Sequence, residues 1–222
     1  MGRTRYPARR TFLALVVIAA LLAGCASQVT GSAVPVAHPS TPATAGCDPA
    51  TLPGCLMPAP SGSTQWSQPY APNGTITVPQ FLDRVYYGQS ASERQQVTAQ
   101  LTTQGLQALA HRSWHASNSD DADVVLLRFS ADTGAASRTV QMVHAYASDQ
   151  DYQQVSAPSL TTQGVSVFAY RKLDSRGEVA TIGFGAFGPV AMEFFVWSLA
   201  TVDTGAVTGW MKQEATLLGG RR

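Results

Sequence analysis

Lysine is nearly missing from this 222-residue chain: Lys172 and Lys212 are the only two. Charged residues make up 13% of it, and the formal net charge is +1. So weak a basic field argues against nucleic acid as a partner and against electrostatic capture by a membrane surface. Recognisable catalytic motifs are missing too. There is no Gly-x-Ser-x-Gly elbow, Ser-x-x-Lys, His-Glu-x-x-His or Walker loop. Gly183-Phe-Gly-Ala-Phe-Gly188 has glycine spacing but lies between strand patterns, whereas a dinucleotide loop opens a helix. Cysteine is scarce, with Cys25, Cys47 and Cys55 alone. A zinc site needs about four ligands, and no histidine stands at usable spacing from Cys47 and Cys55. Neither a metal nor a cofactor is expected.

The amino terminus is more specific. Arg3, Arg5, Arg9 and Arg10 precede an unbroken apolar run from Phe12 to Leu22. That run is too short to span a bilayer, which takes roughly 20 residues. Leu22-Ala23-Gly24-Cys25 follows it and resembles the lipobox of bacterial lipoprotein signal peptides. The resemblance implies removal of residues 1–24, a palmitate-type diacylglycerol on the Cys25 thiol, and a mature protein lipid-anchored on the extracytoplasmic face of the cell membrane. Arg9-Arg10-Thr11-Phe12-Leu13 also resembles a twin-arginine export address, so general secretion and twin-arginine export both stand open. Val29-Thr-Gly31-Ser-Ala33-Val34 is similar to the start of many mycobacterial and other actinobacterial lipoproteins.

Residues 25–74 read as a tether. Between Arg10 and Arg84 no lysine or arginine occurs, and ten of the thirteen prolines fall between Val34 and Gln80. Such a Pro/Ser/Thr-rich stretch buries too little apolar surface to offset its ordering entropy. Ser40-Thr41-Pro42-Ala43-Thr44 is a candidate for sugars on its hydroxyls. With Cys25 acylated, Cys47 and Cys55 are left in an oxidising compartment, where a local disulfide is expected. Pro49, Pro53 and Gly54 let the chain turn back between them. This loop reads as a rigid knuckle within the tether.

Residues 75–222 form one domain. Ser90-Ala-Ser-Glu93 is a capping box, and Gly105 stands where a helix ends in a left-handed residue. Strands are expected over 106–115, 123–130, 165–173, 178–187 and 190–198. Helices are expected after Asp132 and after Asp203. Leu101-Thr-Thr-Gln-Gly105 recurs at Leu160–Gly164, and Asp132-Thr-Gly-Ala135 at Asp203–Ala206. Either an old duplication or repeated use of good caps accounts for this. The fold class is therefore α+β: an antiparallel sheet with helices on one face, in one version a ferredoxin-like duplicated unit.

The last strand is apolar on both faces, with Met192, Phe194 and Val196 on one and Phe195 and Trp197 on the other. The amino-terminal helix or tether could fold over the second face. It could instead be a dimer or partner interface, or a concave pocket for an apolar ligand with Glu193 and Arg171 or Arg128 as polar anchors. The expected site is Glu193, Phe195, Trp197 and Arg171. The expected function is a non-enzymatic envelope binding or sensor module for a small apolar ligand. Its alternative is an assembly module, or a homodimer, using the same face. An envelope hydrolase would need Ser113 with His115, or Ser117 with His111. His111 and His115 on one strand sit too far apart to chelate, and Asp120, Asp121 and Asp123 lack the spacing of a calcium loop.

Overall fold

The computed structural model describes residues 47–66, 72–86, 88–116, 120–173, 177–199 and 204–220. The signal segment, the lipidation candidate Cys25 and the tether up to residue 46 lie outside the described residues, as do Ser117, Asp203 and residues 174–176. A 3₁₀ turn at Leu52–Cys55 comes first, then β1 (Thr64–Gln65), β2 (Gly74–Ile76), α1 (Val78–Val85) and α2 (Ala91–Thr103). β3 (Leu106–His115), β4 (Asp121–Phe129), α3 (Asp132–Ser148), β5 (Tyr152–Gln154) and α4 (Pro158–Thr161) follow. β6 (Ser166–Tyr170), β7 (Glu178–Phe187), β8 (Val190–Leu199) and α5 (Thr204–Gly220) complete the order.

The strands form one antiparallel sheet in the order β1-β3-β4-β8-β7-β6-β5, with β2 also on β3. β1 and β2 run along the same edge of β3, Thr64 opposite His115 and Gly74 opposite His111. The α+β class with an antiparallel sheet is thus as expected. β3 and β7 have the expected bounds, and Ser90 caps α2 with Glu93 in the reciprocal arrangement. α1 was not expected, although Thr77 and Gln80 form a second capping box with Pro79 in the first turn. α3 starts at Asp132 after Ala131, without the side-chain cap expected of Asp132 or Thr133.

Alternation along the strands divides the interior into two cores. Even-numbered residues of β3, β4 and β8, among them Trp114, Val124, Leu126, Met192, Phe194 and Val196, pack under α5 through Val207, Met211, Ala215 and Leu218. Odd-numbered ones, among them Leu109, Val125, Leu127, Phe195 and Trp197, pack under Phe81, Leu82 and Val85 of α1 and Ala135, Met142 and Tyr146 of α3. Helices therefore cover both faces, not one. A β8 that is apolar on both sides has to be roofed twice. Gly183 lets α5 settle closely, since a Cβ there would lie 2.6 Å from Met211 Sδ.

The two repeated motifs do end and start equivalent elements. Gly105 (φ +82°) and Gly164 (φ +77°) close α2 and α4 before β3 and β6. Yet α3 and α5 lie on opposite faces. A rotation that exchanges the antiparallel neighbours β4 and β8 has its axis normal to the sheet and would leave both helices on one face. The repeats are therefore shared helix-end chemistry, and the ferredoxin-like duplicated unit is not what the chain builds.

The start of the domain also moves. Cys47 and Cys55 are disulfide-bonded, as expected, but the knuckle is not part of a tether. Cys47, Leu52, Cys55, Leu56 and Met57 are all buried in the core under α5. Arg128 Nε donates to Cys47 O at 3.1 Å, and Arg112 Nη1 donates to Leu56 O at 2.9 Å and to Met57 O. Glu214 of α5 accepts the Met57 N–H at 2.6 Å. Proline and small residues hid this segment's role, because its apolar residues sit in a turn without strand or helix period.

Candidate functional site: a polar corner beside a closed aromatic core

The aromatic face proposed from the sequence is interior. Phe195 and Trp197 are 2% and 4% exposed and stack with centroids 6.2 Å apart. Phe184 meets Phe195 edge-on. α3 and α1, a helix not expected from the sequence, roof them, so of the three readings of this face it is coverage from within the chain that holds. Glu193 is 1% exposed and is held by Arg138 of α3, whose Nε lies 2.7 Å from Glu193 Oε1. Arg138 also donates to the Tyr86 hydroxyl at 2.8 Å. Burial works against the Arg138 charge, but Glu193 and then Tyr86 outweigh it and hold the guanidinium protonated more firmly than usual. Arg171 is elsewhere: it is exposed at the far edge, with Nε donating to Tyr152 O at 3.0 Å. The four residues do not converge, and three of them serve the core. Arg128, the other candidate anchor, holds the knuckle.

The same face turns polar toward the β1 edge. His111, Ser113 and His115 alternate along β3, and Asp121 and Asp123 stand opposite His115 and Ser113 on β4. His111 is buried, with Nε2 3.1 Å from Asp123 Oδ1 and Nδ1 3.0 Å from Pro72 O. Arg84 of α1 makes a buried ion pair with Asp123. Its guanidinium lies between two indoles, 5.5 Å from the ring centres of both Trp66 and Trp197. Burial pushes the His111 pKa from 6.5 down to about 4; the Pro72 carbonyl pulls it up, and the Arg84 charge presses it down again. Ser113 Oγ donates to Trp66 O, and Ser113 N donates to Asn73 Oδ1 at 2.8 Å.

At the rim of this corner His115 is half exposed, and Nδ1 sits 2.7 Å from Asp121 Oδ1. The carboxylate fixes the ring's orientation and leaves Nε2 for a ligand. Thr64 faces His115 across the strand pair and is exposed, and Trp66 is half-buried beside it. The rim thus sets an oriented imidazole, a hydroxyl and an indole side by side. They do not form a nucleophile–base pair. Both nitrogens of His111 lie at hydrogen-bonding distance from internal groups, Pro72 O and Asp123 Oδ1, and the Ser113 hydroxyl is given to a backbone carbonyl. Among the described residues, no group of three or more His, Cys, Asp or Glu could hold a metal ion. The signal for this corner was present in the sequence as His111, His115 and the Asp120–Asp123 run, but its pairing depends on strand register.

Among the described residues no helix is long and apolar enough to cross a membrane. No family model and no curated protein sequence matches the chain. Among solved structures, it is similar to the extracellular domain of PknH from Mycobacterium tuberculosis, at 7% identity and a TM-score of 0.45, over 76% of this chain and 92% of that one. A likeness at that level carries no argument about function.

Proposed function

We propose that this chain is an exported cell-envelope lipoprotein, acylated at Cys25, whose folded domain acts by binding and not by catalysis. The observation that carries the export reading is the Cys47–Cys55 disulfide, built into a core at 1% and 0% exposure. Disulfides of this kind persist in oxidising compartments, which is where the lipobox-like Leu22–Cys25 would deliver the domain. The binding reading shifts from the aromatic face, which α1 and α3 occupy, to the polar corner formed by Thr64, Trp66 and His115. A polar ligand or an envelope protein suits those groups better than a small apolar molecule. Commitment of His111 and Ser113 to internal partners supports a non-enzymatic role.

The test has two parts. Wild type and Cys25→Ser are compared by fractionation and by mass of the amino-terminal peptide. A diacylglycerol mass that Cys25→Ser abolishes, together with loss of membrane retention, is the expected result. Crosslinking in intact cells then compares wild type with His115→Ala. Adducts that survive His115→Ala unchanged would place recognition elsewhere on the domain.

A further inference from the structure

The knuckle has exposed and buried parts, and their arrangement has a consequence for how the domain stays attached. Asp48, Pro49, Ala50 and Thr51 are exposed, and they lie between two cysteines that are fully buried. Proteases cut preferentially at exposed turns with small and polar residues. Here such a cut would fall inside a covalent ring. Cys55 continues into Leu56 and Met57, which Arg112 and Glu214 bind to β3 and α5. Cys47, on the amino-terminal side, is held by the disulfide, by its packing and by Arg128.

We propose that the Cys47–Cys55 knuckle is a redox-gated attachment joint: a nick within residues 48–54 does not shed the domain, and release requires both the nick and reduction of the disulfide. This rests on the reading that the chain is anchored through Cys25. The chemistry is ordinary. A protease adds water across one peptide bond of the loop, and the two fragments stay joined through sulfur. An external dithiol then takes the disulfide to two thiols and is itself oxidised to a disulfide, and the fragments part. Because both sulfurs are buried, the second step is slow while the domain remains folded.

The experiment uses the full chain in membranes, with a site-specific protease sequence inserted between Ala50 and Thr51. Nicked membranes are washed in urea, which removes non-covalent retention, with and without dithiothreitol. Retention in urea alone and release with the reductant is the expected result, while Cys47→Ser/Cys55→Ser releases on nicking without reductant. Release of the nicked parent chain into urea without reductant would overturn the proposal. A readout independent of anchoring is also available. Asp48–Pro49 is the single Asp–Pro bond in the chain, and such bonds are selectively cleaved by mild acid. Fragments that stay joined until reduced support the joint, and fragments that separate unreduced overturn it. A chain that never enters the membrane fraction defeats the anchoring reading alone, because the acid-cleavage masses still decide the joint.

Discussion

The backbone N–H of Met57 donates to Glu214 Oε2 at 2.6 Å, across 157 residues of sequence. Both groups are buried in a cluster that is otherwise apolar. A buried donor that loses its acceptor leaves its desolvation cost, about 1–3 kcal/mol, uncompensated. Glu214→Ala is expected to lower the unfolding free energy by that amount. Glu214→Gln, which keeps an acceptor oxygen, is expected to recover most of it. Urea unfolding of the three proteins checks this, and equal losses in both variants would show that the charge, not the acceptor, matters.

Glu193 and Arg138 form a pair with both side chains 1% exposed. Removing one partner leaves a buried charge uncompensated, at about 3–5 kcal/mol. Glu193→Ala should be severely destabilised, and Glu193→Leu with Arg138→Met should recover much of the loss. Trp197→Ser should likewise lower stability by about 3–5 kcal/mol, as large-to-small core substitutions do. Its molecular mass by light scattering should not change with concentration relative to wild type, because Trp197 packs inward. A dimer in wild type that Trp197→Ser dissociates without loss of stability would contradict the buried placement.

His111 gives the fold a pH dependence whose sign is fixed. Its folded pKa, about 4, lies below the unfolded 6.5, so the unfolded chain takes the proton first. The stabilising contribution is complete above pH 6.5, falls as pH drops from 6.5 to about 4, and changes no further below that. The full loss is on the order of 3 kcal/mol. Isothermal denaturation at several pH values should show the slope in wild type and a flatter curve in His111→Asn over that window. Equal slopes would assign the dependence to other groups.

Gly134 and Gly209 both lie in helices, and their surroundings predict opposite outcomes. A Cβ at Gly134 would meet Gln104 O at 2.3 Å and Phe129 Cβ at 2.9 Å, so Gly134→Ala should destabilise by about 1–3 kcal/mol. Among the described residues nothing lies within 4 Å of a Cβ at Gly209, so Gly209→Ala should stabilise by about 0.5–1 kcal/mol through helix propensity. Thermal melts of the two variants read both signs.

The sequence by itself determined much of the local structure. The Ser90–Glu93 capping box, Gly105 and the apolar runs gave α2, β3, β4, β7 and β8 nearly residue for residue, because caps and strand alternation are written in neighbouring positions. Two fully apolar faces on β8 were legible in the same way. What roofs each face was not. α1 covers Trp197 and α5 covers Phe194, and periodicity carries the parity of a strand without naming the segment that packs on it. The pairings of Arg84 with Asp123, Arg138 with Glu193 and Met57 with Glu214 join residues 39, 55 and 157 positions apart. Only the closed fold brings each pair together in a low-dielectric core, where an isolated charge is costly and a partner is required. That requirement turned the expected binding face into core.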